Sequence, residues 1–255
     1  MNVISIATIN INRITAHAKA GMVADFIRHH DFHIILVQEI MSPEVLNIQG
    51  YETHLNTGTA MCGTAIVAKR EHLLTNILII QSGRALAAQF LGIWLVNVYA
   101  PLGSAQRAAR ERFFNADLTH LLQDTATHVI FGGDFNCVLH PKDTTGRFHT
   151  SSALMEIVRG IALTNAWTQN PTHPVYTHYS PTSASTIYRF YMTRDLMTQK
   201  LGIQILPAAF TDHNVVALRI AAINLEVRRG WRRWKMNPHT MDNEGVKMQI
   251  RHEFE

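Results

Sequence analysis

Short apolar runs rich in β-branched residues recur along this chain, and several follow one another with no helical segment between them. That spacing most constrains the fold. Runs at 63–68, 76–80, 86–90 and 93–98 read as consecutive strands, with Ser82-Gly83-Arg84 as a turn. A doubly wound sheet would alternate strand and helix, so two packed sheets with helices outside suit the pattern better. Further strands are expected at 3–11, 33–37, 127–131, 176–179, 186–192, 202–206 and 215–220. Helices are expected at 16–30, 105–123 and 152–163. In the 105–123 helix, Phe114, Leu118, Leu121 and Leu122 form the apolar stripe, and Arg107, Arg110 and Arg112 are placed on the wet side.

With 255 residues, 47% apolar and 16% charged, the chain can build a sizeable core. No run of 18 apolar residues exists, which argues against a membrane span, and the N-terminus has no basic region ahead of an apolar one. Cys62 and Cys137 sit in no metal-type spacing and read as free thiols in a reducing compartment. A net charge of +4 and a pI near 9.2 lean modestly toward a polyanionic partner. The composition changes near residue 225. Arg228 to Lys235 is basic and aromatic, and nothing periodic follows Pro238. We therefore divide the chain into a domain at 1–225 and a linker, or the truncated start of another segment, at 226–255. Trp231 and Trp234 either stack on nucleic acid or dock the tail on the body.

Polar residues recur where the apolar strands end: Asn10, Glu39, Tyr99, Asp134 with Asn136, and Asp212 with His213. In Gly132-Gly133-Asp134-Phe135-Asn136, the glycines are expected to let the backbone turn sharply and approach a ligand. If the backbone stays extended, Asp134 and Asn136 point the same way; the alternative is a simple Asx-turn. Together the strand ends supply what phosphodiester hydrolysis needs. Glu39, Asn10 and Asp212 offer oxygen ligands to a hard divalent cation. Asp134 is a candidate base. Asn136, Tyr99 and a protonated His213 are candidate donors to the charge developing on phosphorus.

Five ordered blocks carry a resemblance: 8–12 (Thr-Ile-Asn-Ile-Asn), 37–39 (Val-Gln-Glu), 97–101 (Asn-Val-Tyr-Ala-Pro), 132–136 (Gly-Gly-Asp-Phe-Asn) and 211–213 (Thr-Asp-His). Residues 1 to about 222 resemble the endonuclease/exonuclease/phosphatase superfamily. They resemble most the apurinic-type endonuclease domain of LINE-type (non-long-terminal-repeat) retrotransposon polyproteins. Trp234-Lys235-Met236-Asn237 resembles the segment leading toward the reverse transcriptase. The resemblance implies an α/β fold, a DNase I-like four-layer sandwich of two mixed β-sheets flanked by helices. It implies Mg²⁺ or Mn²⁺ held chiefly by Glu39, with Asn10 and Asp212 nearby. Asp134 would activate or position water, Asn136 and Tyr99 would bind phosphate, and His213 would stabilise the transition state. Asn12, Arg84, Ser185 and Thr177 are further substrate-binding candidates, and Arg189 is another for phosphate.

The implied activity is nicking of double-stranded DNA to leave a 3′-hydroxyl that primes reverse transcription. The implied setting is the nucleus, after cytoplasmic synthesis, without a membrane, as a monomeric domain of a polyprotein. In such a family a serine is followed by Ile-Asp, and that aspartate hydrogen-bonds the histidine. Here Ser185-Thr186-Ile187 is followed by Tyr188. A neutral phenol replaces the carboxylate, which predicts weakened or absent activity. The alternatives are a catalytically dead DNA-binding domain and a phosphatase or other phosphodiesterase of the same superfamily.

Overall fold

Among the described residues the strands form two sheets of six and one small hairpin. The computed structural model describes residues 2–14, 17–58, 63–123, 128–167 and 176–222. Sheet one is built from β1 (Asn2–Asn10), β2 (Ile34–Ile40), β3 (Tyr51–Asn56), β4 (Gly63–Lys69), β13 (Lys200–Leu206) and β14 (Val215–Ala222). Sheet two is built from β5 (Thr75–Ile79), β6 (Ala85–Phe90), β7 (Ile93–Tyr99), β8 (Val129–Asp134), β9 (Leu163–Asn165) and β12 (Tyr188–Thr193). The order across sheet one is β13-β14-β1-β2-β4-β3, and across sheet two it is β5-β6-β7-β8-β12-β9. A small hairpin, β10 (His178–Ser180) and β11 (Ser183–Ser185), stands apart. The chain divides between Ile223 and Asn224. The expected tail at 226–255, with Trp231, Trp234 and the Trp-Lys-Met-Asn segment, lies outside the described residues, as does Cys62.

Each sheet holds one parallel pair, β1 with β2 and β7 with β8, and the other pairings are antiparallel. A parallel pair needs a crossover, and a helix supplies each one. Helix α1 (His17–His29) joins β1 to β2, and its Val23 and Ile27 pack on Ala7, Ile9, Ile35 and Val37. The second crossover is helical from α2 (Arg107–Arg112) through a π-helical segment (Phe113–Leu118) to α3 (Thr119–Gln123). Together with α4 (Ser152–Gly160) it covers Val96, Val98, Val129 and Phe131. A one-turn helix, α5 (Arg194–Met197), follows β12. The remaining faces meet, with β1 and β2 opposite β8 and β7. The result is the expected four-layer sandwich.

That arrangement buries polar side chains of β1. Thr8 and Asn10 are fully buried between the sheets. Gln38 and Asn97 join them there. Gln38 Nε2 donates to Asn97 Oδ1 at 2.7 Å and to Thr8 Oγ1 at 3.0 Å, and Asn97 Nδ2 donates to the Val37 and Ala65 carbonyls. Buried amides cost free energy unless paired, and here each is paired across the layer.

Other expectations shift as well. Arg110 is buried, and its Nη1 donates to the Pro101 and Gly103 carbonyls, pinning the loop after β7. Arg189, expected to meet phosphate, is buried and donates to the Cys137 and Thr186 carbonyls. Cys137 is a buried free thiol. The helix expected at 152–163 starts at a Ser151 cap, whose Oγ accepts from the Leu154 N–H at 3.2 Å, and it ends at Gly160. Leu163 opens β9 instead. The sequence reading missed β3, because Tyr51-Glu52-Thr53-His54-Leu55-Asn56 lacks an apolar run.

Candidate active site

The two parallel pairs bring four strand ends to one end of the sandwich. Asn10 closes β1, Gln38 and Glu39 lie near the end of β2, Tyr99 closes β7 and Asp134 closes β8. The antiparallel partners begin there too. Tyr188, first residue of β12, stands opposite Asp134, and the 211–213 turn leads into β14.

Backbone geometry aims the side chains. Gln38 faces the interior, so simple alternation would send Glu39 to the outer face. A register shift between Gln38 and Ile40, with Glu39 at φ 57°, turns the carboxylate into the site. Asn12, Arg13 and Asn136 also have positive φ, at 47°, 53° and 47°. Concentration of this uncommon conformation around one cleft is the kind of strain that marks function. The value at Asn136 decides between the extended backbone and the Asx-turn in favour of the turn. Its N–H donates to Asp134 Oδ1 at 3.0 Å, which is the Asx-turn, while its Nδ2 donates to the Ala100 carbonyl at 2.8 Å. Turn and site are therefore the same structure.

The glycines likewise do something other than approach a ligand. Both lie inside β8. A Cβ on Gly132 would stand 2.5 Å from the Phe190 ring, and one on Gly133, at φ +140°, would drive into the Val98 carbonyl. They let β8 pack against its neighbours and leave Asp134 in place.

Asn10 links the two acids. Its Nδ2 donates to Glu39 Oε1 at 2.9 Å and to Asp134 Oδ2 at 3.2 Å, and its Oδ1 accepts from the Asn12 N–H at 2.8 Å. Tyr99 donates its hydroxyl to Glu39 Oε1 at 3.0 Å. Burial and the adjoining Glu39 push the Tyr99 hydroxyl well above its ordinary range. Arg84 lies over the Tyr99 ring, 5.0 Å from its centroid, and donates to the Tyr99 carbonyl at 3.4 Å. Sequence reasoning missed Arg13, whose Nε is 3.3 Å from Glu39 Oε2. Its position directly after Asn12 was the available signal. Burial raises Asp134 to about 7 against three hydrogen bonds that favour the ionised form, with Glu39 adding to the rise.

Tyr188 occupies the centre. Its hydroxyl is 2.9 Å from Asp134 Oδ2 and 2.9 Å from His213 Nδ1. A phenol has one proton to give. With Asp134 ionised, Tyr188 donates to Asp134 and accepts from His213 Nδ1–H, so Nε2 carries a lone pair. His213 Nε2 faces Asp212 Oδ1 at 3.4 Å. Burial lowers His213 to about 4 despite the nearby Asp212, so the ring is neutral at pH 7 rather than protonated as expected. The substituted hydrogen bond thus holds the ring without holding its charge.

The residues of the expected metal trio are linked through Asn12, whose N–H donates to Asn10 Oδ1 and whose Nδ2 donates to Asp212. Asn10 touches Glu39, whereas Asp212 is half exposed and accepts from Asn12 Nδ2 at 3.0 Å on the His213 side. Thr177, expected to bind substrate, is buried. Its hydroxyl accepts from the Ile187 and Tyr188 N–H groups and donates to the Ser185 carbonyl, so it sets the start of β12 instead. Ser185 closes the β10–β11 hairpin opposite His178.

The donors at Glu39 fit a hard cation. Two buried carboxylates share one amide, and a cation beside them would offset the repulsion that helps raise Asp134. Asn10 Oδ1 retains a second lone pair for such an ion.

Comparison with known proteins agrees with this geometry. A curated relative, a Transposon TX1 uncharacterized 149 kDa protein from Xenopus laevis, is 26% identical over 279 aligned positions. The alignment covers 97% of this chain and 20% of that protein, so the chain spans about a fifth of its relative. The fold matches an AP endonuclease from Archaeoglobus fulgidus (17% identity, TM-score 0.71, 86% of this chain and 100% of that one). It matches a 3′ phosphatase from Neisseria bound to a product DNA hairpin (17%, 0.73, 86% and 99%). It also matches an AP endonuclease from Leishmania major (14%, 0.75, 87% and 88%). The model of the Endonuclease/Exonuclease/phosphatase family matches residues 7–213, which include all the strand ends described above, and the chain belongs to that family.

Proposed function

We propose that this chain is a divalent-metal-dependent DNA endonuclease domain of a transposon polyprotein. It nicks target DNA in the nucleus and leaves a 3′-hydroxyl for reverse transcription. The observation that carries this reading is the convergence of Glu39, Asn10, Asp134, Asn136, Tyr99 and His213 at one end of the sandwich. The transposon relative and the Neisseria 3′ phosphatase bound to a DNA product support the setting and the substrate.

Glu39, with the Asn10 amide oxygen, would hold Mg²⁺ or Mn²⁺, which when bound supplies Lewis-acid stabilisation of charge on the phosphate. Asp134, ionised and held by the Asn136 N–H, Asn10 Nδ2 and the Tyr188 hydroxyl, orients water and takes its proton. Asn136 Nδ2 gives one proton to the Ala100 carbonyl and has a second for a phosphate oxygen, and the Tyr99 hydroxyl, which donates to Glu39, can turn to phosphate when a cation takes over at that carboxylate. A neutral His213 provides less charge stabilisation than a protonated ring, so the reaction is slow.

Nicking of supercoiled plasmid by EDTA-treated protein, with and without Mg²⁺, tests the reading. Extension of the nick by a polymerase reports the 3′-hydroxyl. The expected result is Mg²⁺-dependent nicks that extend, reduced by at least about 100-fold in Glu39→Gln, within the range for losing a major electrostatic contributor. The presence of Tyr188 supports a second reading, a DNA-binding domain without chemistry. Binding of the plasmid with no nicking across pH would establish it.

A further inference from the structure

His178 lies outside the catalytic set and carries no expectation from the sequence. Its strand β10 meets the 211–213 turn, where His178 and His213 form an isolated antiparallel bridge. Their rings lie 4.6 Å apart, inclined by 31°. Asp212 completes a group of three. One ligand atom from each of His178, Asp212 and His213 lies within 4.8 Å of the others.

We infer that His178, Asp212 and His213 form a binding site for a zinc-class divalent ion, distinct from the oxygen-lined position at Glu39. Three features carry the assignment. First, the donors are two imidazoles and one carboxylate, a set that suits Zn²⁺, Co²⁺ or Ni²⁺ better than Mg²⁺, which prefers oxygen throughout. Secondly, Tyr188 engages Nδ1 of His213 and leaves Nε2 on the side of Asp212. With Nδ1–H given to the Tyr188 hydroxyl, and that hydroxyl given to Asp134, the Nε2 lone pair faces Asp212 Oδ1 at 3.4 Å. In that tautomer a cation between Nε2 and Oδ1 would be bound by both. A ligating histidine is commonly oriented by a hydrogen bond from its other nitrogen to an oxygen acceptor, and Tyr188 performs that task here. Thirdly, the site has an entry path. His213 is buried, His178 half-buried and Asp212 exposed. Ligand atoms of a tetrahedral zinc ion with bonds of about 2.1 Å stand roughly 3.4 Å apart. Small rotations of His178 and Asp212 therefore bring the group to bonding distance. Three protein ligands leave a fourth position for water.

Occupancy draws His213 and Asp212 away from the phosphodiester, so zinc acts as an inhibitor of the nicking proposed above. That consequence rests on the proposed function, whereas the binding does not. The test titrates metal-free protein with Co²⁺ and follows the visible d–d absorption and calorimetric stoichiometry, with Zn²⁺ as competitor. The expected result is one Co²⁺ per chain with a band of nitrogen and oxygen ligation, displaced by Zn²⁺ and left in place by excess Mg²⁺. Both His178→Phe and His178→Gln should weaken Co²⁺ binding by more than about 100-fold, beyond the effect of losing an outer hydrogen-bond partner. Their circular dichroism should match the parent. No Co²⁺ band in the parent, or the same affinity in both His178 variants, overturns the assignment. Nicking in Mg²⁺ should persist in His178→Phe and lose its sensitivity to Zn²⁺. Inactivity of both proteins in Mg²⁺ alone, with Co²⁺ binding intact, counts against the proposed function and not against the site.

Discussion

At Tyr188 one hydroxyl serves two partners, Asp134 and His213, each at 2.9 Å. Tyr188→Phe keeps the ring and removes the hydroxyl. It takes one donor from a buried carboxylate and leaves His213 Nδ1 unpaired, at a stability cost of about 1–3 kcal/mol. Nicking should fall with it, which plasmid assays and chemical denaturation together measure. Tyr188→Asp puts back a carboxylate beside His213. A shift of one pKa unit corresponds to about tenfold in the protonated fraction, so nicking at pH 7 should rise by at least ~tenfold. Equal rates for parent and Tyr188→Asp would sink the view that Tyr188 limits the chemistry. The sequence made the substitution legible, together with the candidate bond to His213. The contact with Asp134 was not legible, because it depends on the β8–β12 register fifty-four positions apart. The nearness of His178 to His213 was hidden for the same reason, since His213 lies far along the chain, in the turn that leads into β14.

Among the elements, β8 and β2 show how backbone geometry and packing position the carboxylates. Gly133→Ala would place a Cβ against backbone, the Val98 carbonyl, which cannot move without breaking the β7–β8 pairing. Loss of more than about 4 kcal/mol, or failure to fold, is expected from denaturant unfolding. At Gly132 the obstacle is the Phe190 ring and a Leu36 methyl, both side chains. Gly132→Ala should therefore cost less, about 1–3 kcal/mol of overpacking. Equal costs at the two positions would show that β8 tolerates displacement, contrary to the close approach seen here. Apolar runs made most of these strands readable. Glu39 was legible as a strand-end acid, but its bulge was not, because Gln38-Glu39-Ile40 has no glycine to announce a positive φ. Arg110 and Arg189 were misassigned to solvent and DNA because charge alone gives no sign that carbonyls will surround a guanidinium.

For the whole molecule, the site makes stability depend on pH through two groups that oppose one another. Asp134 has an ordinary value of 3.8 and is raised by burial to about 7. Between those values the folded state binds more protons than the unfolded one, so this group's contribution makes stability fall as pH rises. His213 has an ordinary value of 6.5 and is lowered by burial to about 4. Across that window the unfolded state binds more protons, and stability rises with pH. Between about pH 4 and 6.5 the two slopes have opposite signs, each at most about 1.4 kcal/mol per pH unit, and largely cancel. Removing one partner exposes the other. Relative to the parent in EDTA, Asp134→Asn should gain stability with rising pH over this range, and His213→Gln should lose it. Denaturant midpoints at half-unit pH intervals measure both. Slopes of the same sign in the two variants would mean that burial does not govern the pair. The cancellation follows from the sandwich itself, which buries an acid from one sheet and an imidazole beside the other on either side of a single phenol.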